Sequence, residues 1–260
     1  MLMSKCHICR KIEELTNEHV PPRSAFNSQR SILYGSKEVL NVITSDSFPW
    51  DFSSQKGTQK QSGIGFKKLC ATCNNNTGSW YGPGFVDFII QGIKAVISNQ
   101  TKNRINIKFK DIYPLKIMKQ IVCMFLAINR PELAERNIGL REFALDKQKK
   151  GLPDKYKFYI YGFKGKLIKY VGLGSIIKNT KILSRDNIRF VSEIAAMSSG
   201  YVMEIDPKKE DLLVDITHFS DYKFSQKIDL DIELPLLECN SVYPLDYRSQ
   251  KEIKNGSKVL

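Results

Sequence analysis

Along the chain, apolar and polar positions follow two different rhythms. Met118, Ile121, Val122 and Phe125 recur at helical spacing between Pro114 and Pro131, which predicts a helix over 114–129 that opens on one proline and stops before the other. A stripe of Phe85, Phe88, Ile89, Gly92, Ile93 and Val96 predicts a second helix over 85–98, packed on the first. From Lys155 onward the runs shorten and alternate. Strands are expected at 158–163 and 167–171, joined as a hairpin by Lys164-Gly165, then at 189–197, 201–205 and 212–219. Ile228, Leu230, Ile232 and Leu234 alternate with Asp229, Asp231 and Glu233, the mark of a half-buried strand. Beyond Tyr247 the residues turn polar and Gly/Ser/Lys-rich, so 248–260 is expected to be a flexible tail.

The first third lacks both rhythms. Turn-forming clusters such as Asn17-Glu18, Pro21-Pro22, Ser53-Ser54 and Gly63-Ile64-Gly65 dominate, with too few apolar residues before position 83 for a large core. Small units of this kind are commonly stapled by a metal. The expected organisation is α+β: a stapled module over 1–100, a mixed helix and antiparallel-sheet domain over 101–247, and the tail.

Composition narrows the classes. The 260 residues are 42% hydrophobic, which excludes a mostly disordered chain, and no apolar run approaches the roughly 20 residues of a membrane helix. Lys5, Cys6, His7 and Arg10 stand where a secretory leader needs an unbroken apolar stretch. A soluble cytoplasmic protein is the expectation, and in that reducing setting six cysteines are better suited to metal or core than to disulfides. The net charge of +13 is concentrated: residues 101–185 hold 20 basic against 6 acidic side chains. Such a segment is either a solvated surface or a face that follows phosphates. Its Tyr156, Tyr159, Tyr161 and Tyr170 would then either stack on bases or pack across strands.

Four cysteines carry the strongest chemical signal. Cys6 and Cys9, then Cys70 and Cys73, form two CxxC pairs 61 residues apart, whereas Cys123 and Cys239 stand alone. Four thiolates suit tetrahedral Zn²⁺, and a site closed by four protein ligands is structural. Between the pairs lies Thr16-Asn17-Glu18-His19-Val20-Pro21-Pro22; directly after the last cysteine comes Asn74-Asn75-Asn76-Thr77-Gly78. A neutral histidine can deprotonate water near neutral pH. A carboxylate and an amide oxygen can hold a hard cation such as Mg²⁺ while leaving positions for water and phosphate. His19 can therefore act as base, with Glu18 and Asn74 as cation ligands.

In this order, CHIC, NEHVPP and LCATCNNNTG over residues 5–83 resemble the zinc-stapled HNH endonucleases of the His-Me finger (ββα-metal) group, particularly the branch with CxxC, EHVxP and CxxCNN. The resemblance implies a ββα-metal module and metal-dependent hydrolysis of DNA, with His19 as general base, Glu18 and Asn74 on a catalytic divalent ion, and Cys6, Cys9, Cys70 and Cys73 on structural zinc. Stand-alone bacterial members imply a restriction or anti-phage setting. Several readings stay open: Glu18 can instead orient His19, Asn75 or Asn76 can replace Asn74, and Arg23 is either a phosphate contact or an exposed side chain. His7 either bonds a cysteine sulfur or faces solvent; His218 is a packed or surface residue on a strand; Trp80-Tyr81 packs beneath the site or contacts a nucleotide. The chain departs from the pattern through an insertion around 35–62 and through the middle asparagine of H-N-H, for which Asn27 and Asn41 are candidates. The alternative class is a zinc-knuckle module that binds nucleic acid or protein without cutting.

Overall fold

The computed structural model describes residues 3–165, 168–177, 188–196, 198–207 and 212–256. It is a mixed α+β structure. In the N-terminal third, β1 (Met3–Lys5), β2 (Ile12–His19) and β5 (Gly65–Cys70) form an antiparallel sheet in the order β1-β2-β5. β5 runs directly into α2 (Ala71–Trp80), with Cys70 at the helix N-cap. The insertion between β2 and β5 folds as a two-stranded ribbon, β3 (Ser31–Leu33) with β4 (Thr58–Lys60), and encloses α1 (Ser36–Ile43).

Two expected helices form: α3 (Gly82–Ser98) and α4 (Pro114–Ile128), with Pro114 in the first turn of α4. Between them, β6 (Arg104–Ile112) alternates buried Ile105, Ile107 and Phe109 with exposed Arg104, Asn106, Lys108 and Lys110. Short helices α5 (Glu132–Arg136) and α6 (Ile138–Leu145) follow. The large sheet adds β7 (Tyr156–Phe163), β8 (Lys169–Ile177), β9 (Ile188–Ala196), β10 (Ser199–Ile205), the short β11 (Val214–Asp215) and β12 (Ile228–Leu237). Among the described residues its order is β6-β12-β7-β10-β9-β8, with β11 beside β7. All pairs are antiparallel except β12 with β7, which meet in parallel at Leu236–Leu237.

Strand pairing departs from the expected hairpin. β7 pairs with β10 and β12, and β8 pairs with β9. The cause lies in β7, which is buried on both faces: Tyr156, Phe158 and Ile160 join the main core, and Tyr159, Tyr161 and Phe163 form a second cluster with Val202 and Cys239. A strand buried on both faces has no water to satisfy its backbone N–H and C=O groups, so both of its edges must be paired. Gly200, opposite Tyr161, admits that ring; a methyl group there would lie 1.9 Å from it. Leu167 and Met197, the expected limits of two strands, lie outside the described residues. Expected strand 212–219 shrinks to β11, followed by a 3-10 turn over Thr217–Asp221. The tail is not wholly irregular: Ser249 caps α7 (Gln250–Lys254), with Glu252 completing a capping box.

The tyrosines pack rather than face outward: Tyr156, Tyr159 and Tyr161 are buried, and the Tyr161 hydroxyl donates to Glu193. Glu193 also pairs with buried Lys169 at 3.0 Å and accepts from the Leu245 amide, which ties the chain after β12 onto the sheet. One core cluster runs from Cys6, Cys70 and Cys73 through α3 and α4 to the large sheet. The N-terminal strands are therefore seated on the same core as the rest. No helix among the described residues is long and apolar enough to cross a membrane.

Candidate functional site

The site begins with the sulfur knot. Cys6 to Cys9 occupy the turn between β1 and β2, where the Cys6 amide donates to Lys11 O, the Arg10 amide to Cys6 O, and the His7 amide reaches across to Lys68 O on β5. Arg10 takes a left-handed conformation at φ 71° to close this turn. Cys70 and Cys73 arrive from the β5–α2 junction, and all four sulfurs lie within 4.8 Å of one another. Cys9 Sγ and Cys70 Sγ are 3.7 Å apart, close to the edge of about 3.8 Å that a tetrahedron with 2.3 Å metal–sulfur bonds would have. The electrostatics also ask for a cation. A hydrogen bond from Cys73 and the backbone amides of Cys70, Ile8 and Cys9 bring the Cys6 thiol down to about 4. That one thiolate, with burial, pushes Cys73 far up, and burial raises Cys70 to about 11. Four sulfurs this close share their charge comfortably only around a metal ion such as zinc, and the donor set fits one.

Pairing of β2 with β5 carries the next residues toward α2. Asn74, in the first turn of α2, donates through Nδ2 to Thr16 Oγ1 at 2.9 Å and Asn17 O at 3.2 Å, and Thr16 in turn donates to Leu69 O. With its NH₂ used this way, Asn74 leaves Oδ1 as its free atom. Glu18 is 8% exposed, and burial lifts its carboxyl to about 7; among the described residues no cation or hydrogen-bond donor offsets that penalty. His19, half-buried at the end of β2, makes a 3.0 Å hydrogen bond from Nε2 to the Ser62 carbonyl. A carbonyl only accepts, so Nε2 carries a proton, and in the neutral ring the lone pair is on Nδ1. Glu18, His19 and Asn74 line one cleft of about 350 Å³ together with exposed Arg23.

Asn27 holds the loop that sets His19 and Ser62 side by side. It is 1% exposed, donates to Pro21 O and Ile64 O, and accepts from the Ile64 amide, each at 2.8 Å. Gly63 beside it has φ +83°, and a Cβ there would meet the Asn27 carbonyl at 1.9 Å. Asn41, by contrast, lies exposed on α1 and bonds Gln55. Asn27→Ala is expected to destabilise the protein by about 2–4 kcal/mol, because three buried backbone groups lose their partner. Urea unfolding measures this.

The other open positions resolve as follows. Asn75 is exposed, and Asn76 lines a different cleft beside Cys9 and Trp80. His7 is neither solvent-facing nor joined to sulfur; it is buried against the end of α4 near Leu126 and Asn129, its Nδ1 lacks a partner, and burial lowers its pKa. His218 is exposed on the 3-10 turn, not a strand. Tyr81 packs fully buried, with its hydroxyl on Ala144 O, and Trp80 packs edge-on against it.

Gly78, from the run after Cys73, lines the cleft too, and Ser24, Gly82, Pro83, Val86 and Gln120 join it without having been singled out in the sequence. A methyl group on either glycine would meet nothing within 4 Å, so both keep the cleft open. Gln120 gives a faint signal, as an uncharged polar residue next to Lys119 in a mostly apolar helix. A larger cleft of about 850 Å³ opens between α1 and β8, but its Glu38 caps α1 and its Lys169 is paired with Glu193. Comparison with family models, curated proteins and solved structures gives no match to this chain.

Proposed function

We propose that the protein is a divalent-metal-dependent nuclease that hydrolyses DNA phosphodiester bonds, as its resemblance to HNH endonucleases implies. One observation carries the reading: a carboxylate, an imidazole with a free Nδ1 and an amide oxygen meet in a single cleft, drawn from two strands' pairing and the first turn of a helix. Ser62 fixes the His19 ring, and Nδ1 takes the proton of the attacking water. Glu18 and Asn74 Oδ1 would hold a cation such as Mg²⁺, which when bound stabilises charge on the phosphate and the leaving oxygen. Cys6, Cys9, Cys70 and Cys73 would hold a structural zinc, which would tie the strand that carries His19 to the helix that carries Asn74. Arg23 and the excess of basic residues in 101–185 draw the DNA backbone, in a way that added salt weakens.

Zinc-loaded protein is expected to nick supercoiled plasmid in Mg²⁺ and to stop on chelation of the Mg²⁺. If it binds DNA yet cuts neither duplex nor single strands with Mg²⁺ or Mn²⁺ at low salt, the nuclease reading fails and a non-cutting binding module remains.

A further inference from the structure

α4 runs through the middle of the molecule, packed on α3, α2 and β5, and almost all of it is buried. Two polar side chains sit in that buried stretch, Lys119 and Gln120. Lys119 is satisfied: its ammonium donates to the Phe143 and Asp146 carbonyls at the end of α6. Gln120 is not. It is 1% exposed, and its Oε1 has no hydrogen-bond partner, although its side chain lines the cleft that holds Glu18, His19 and Asn74. A buried amide oxygen left alone is uncommon and marks a place for water, an ion or a ligand.

The surroundings narrow that choice. Asn74 Nδ2 is committed to Thr16 and Asn17, so it cannot serve Gln120. Glu18 is itself a buried acid without a donor. The His19 Nε2 proton belongs to Ser62. Arg23 and Ser24 also line the cleft, yet among the described residues no donor is bonded to the Glu18 carboxylate, Asn74 Oδ1 or Gln120 Oε1, and three such oxygens on one cleft are a donor set that hard divalent cations take. Gly78 and Gly82 leave the space beside them open.

We infer that Gln120 supplies, from α4, a third oxygen to the divalent-cation site of Glu18 and Asn74, an inference that rests on the nuclease reading above. One carboxylate and two amides leave further positions for water and substrate. The consequence is a cation site made jointly by the sulfur-stapled strands and the central helix of the large core.

Calorimetric titration of Ca²⁺ into zinc-loaded, full-length protein tests this without reference to cleavage. Gln120→Leu, which keeps the bulk and removes the amide, is expected to weaken Ca²⁺ binding about 10–100-fold. Gln120→Glu, which places a charged oxygen at the same reach, is expected to tighten it. Thermal melts without Ca²⁺ show whether each variant is folded, and Gln120→Met replaces any that is not. A packing role alone predicts unchanged Ca²⁺ affinity in folded variants, and that result overturns the inference. The parent reading fails separately, if wild type binds no Ca²⁺ or if Glu18→Gln leaves its affinity intact. Weakening by Glu18→Gln but by no Gln120 variant removes Gln120 alone from the site.

Discussion

His19→Ala is expected to cut DNA about 10²–10⁴-fold more slowly than wild type, the range over which a positioned general base contributes. The ring has one hydrogen bond, to Ser62 O, and is only half-buried, so its loss should cost about 1 kcal/mol of stability and leave the zinc in place. DNA affinity in Ca²⁺ should also persist, because phosphate contacts come from cations elsewhere. The loss must therefore appear in kcat. Added imidazole should restore part of the rate in the alanine variant, since the removed side chain leaves room in the cleft for a free base to take the proton. His218→Ala, on the exposed turn, serves as the control and should cut normally. Equal cutting by His19→Ala and wild type would remove His19 as the base.

What the sequence made legible depended on the range of the physics. The cysteine pairs could be read because tetrahedral sulfur chemistry imposes its own spacing, and all four sulfurs do meet. The helix read over 114–129 and the alternation from Ile228 to Leu234 were legible from period and proline, being segments whose burial is one-sided or complete, and the structure has them as Pro114–Ile128 and Ile228–Leu237. The convergence of Glu18, His19 and Asn74 followed from their nearness to the knot: two neighbours on β2 and one residue after Cys73 have little freedom once the sulfurs are joined. Pairing over longer range was not legible. The turn signal at Lys164-Gly165 suggests a hairpin, but β7 needs partners on both edges and takes β10 and β12. The choice between Asn27 and Asn41 rests on which one reaches both Pro21 and Ile64, a distance no spacing reveals. Gln120 comes from the core 46 residues after Asn74 and could be found only once the cleft was in view. The short α7 is a different case, for Ser249 and Glu252 display a capping box three residues apart that the polar composition around them obscured.

Depriving the four cysteines of a metal ion should have the largest effect on the molecule itself. Purified protein is expected to carry one zinc per chain, lost in Cys73→Ser and retained in Cys123→Ser and Cys239→Ser, whose sulfurs lie in the core away from the knot. Structural zinc contributes about 10–16 kcal/mol of binding free energy in small isolated domains. Here part of that is spared, because Leu69, Ile8 and Val20 remain packed on the core that α4 organises. A loss of several kcal/mol is still expected, which for a chain of this size lowers the melting temperature by about 10 °C or more. The damage should be local first: β1, β2, β5 and α2 lose amide-exchange protection while β7, β9 and β10 keep theirs. Cleavage should disappear with it even where the large sheet survives, since the strand that presents Glu18 and His19 and the helix that presents Asn74 are held together by the same four sulfurs. A protein free of zinc as purified, or one whose melting temperature is unchanged by a strong chelator, would show instead that the thiols are ordinary core residues and that hydrophobic packing alone sets the distance between base and amide.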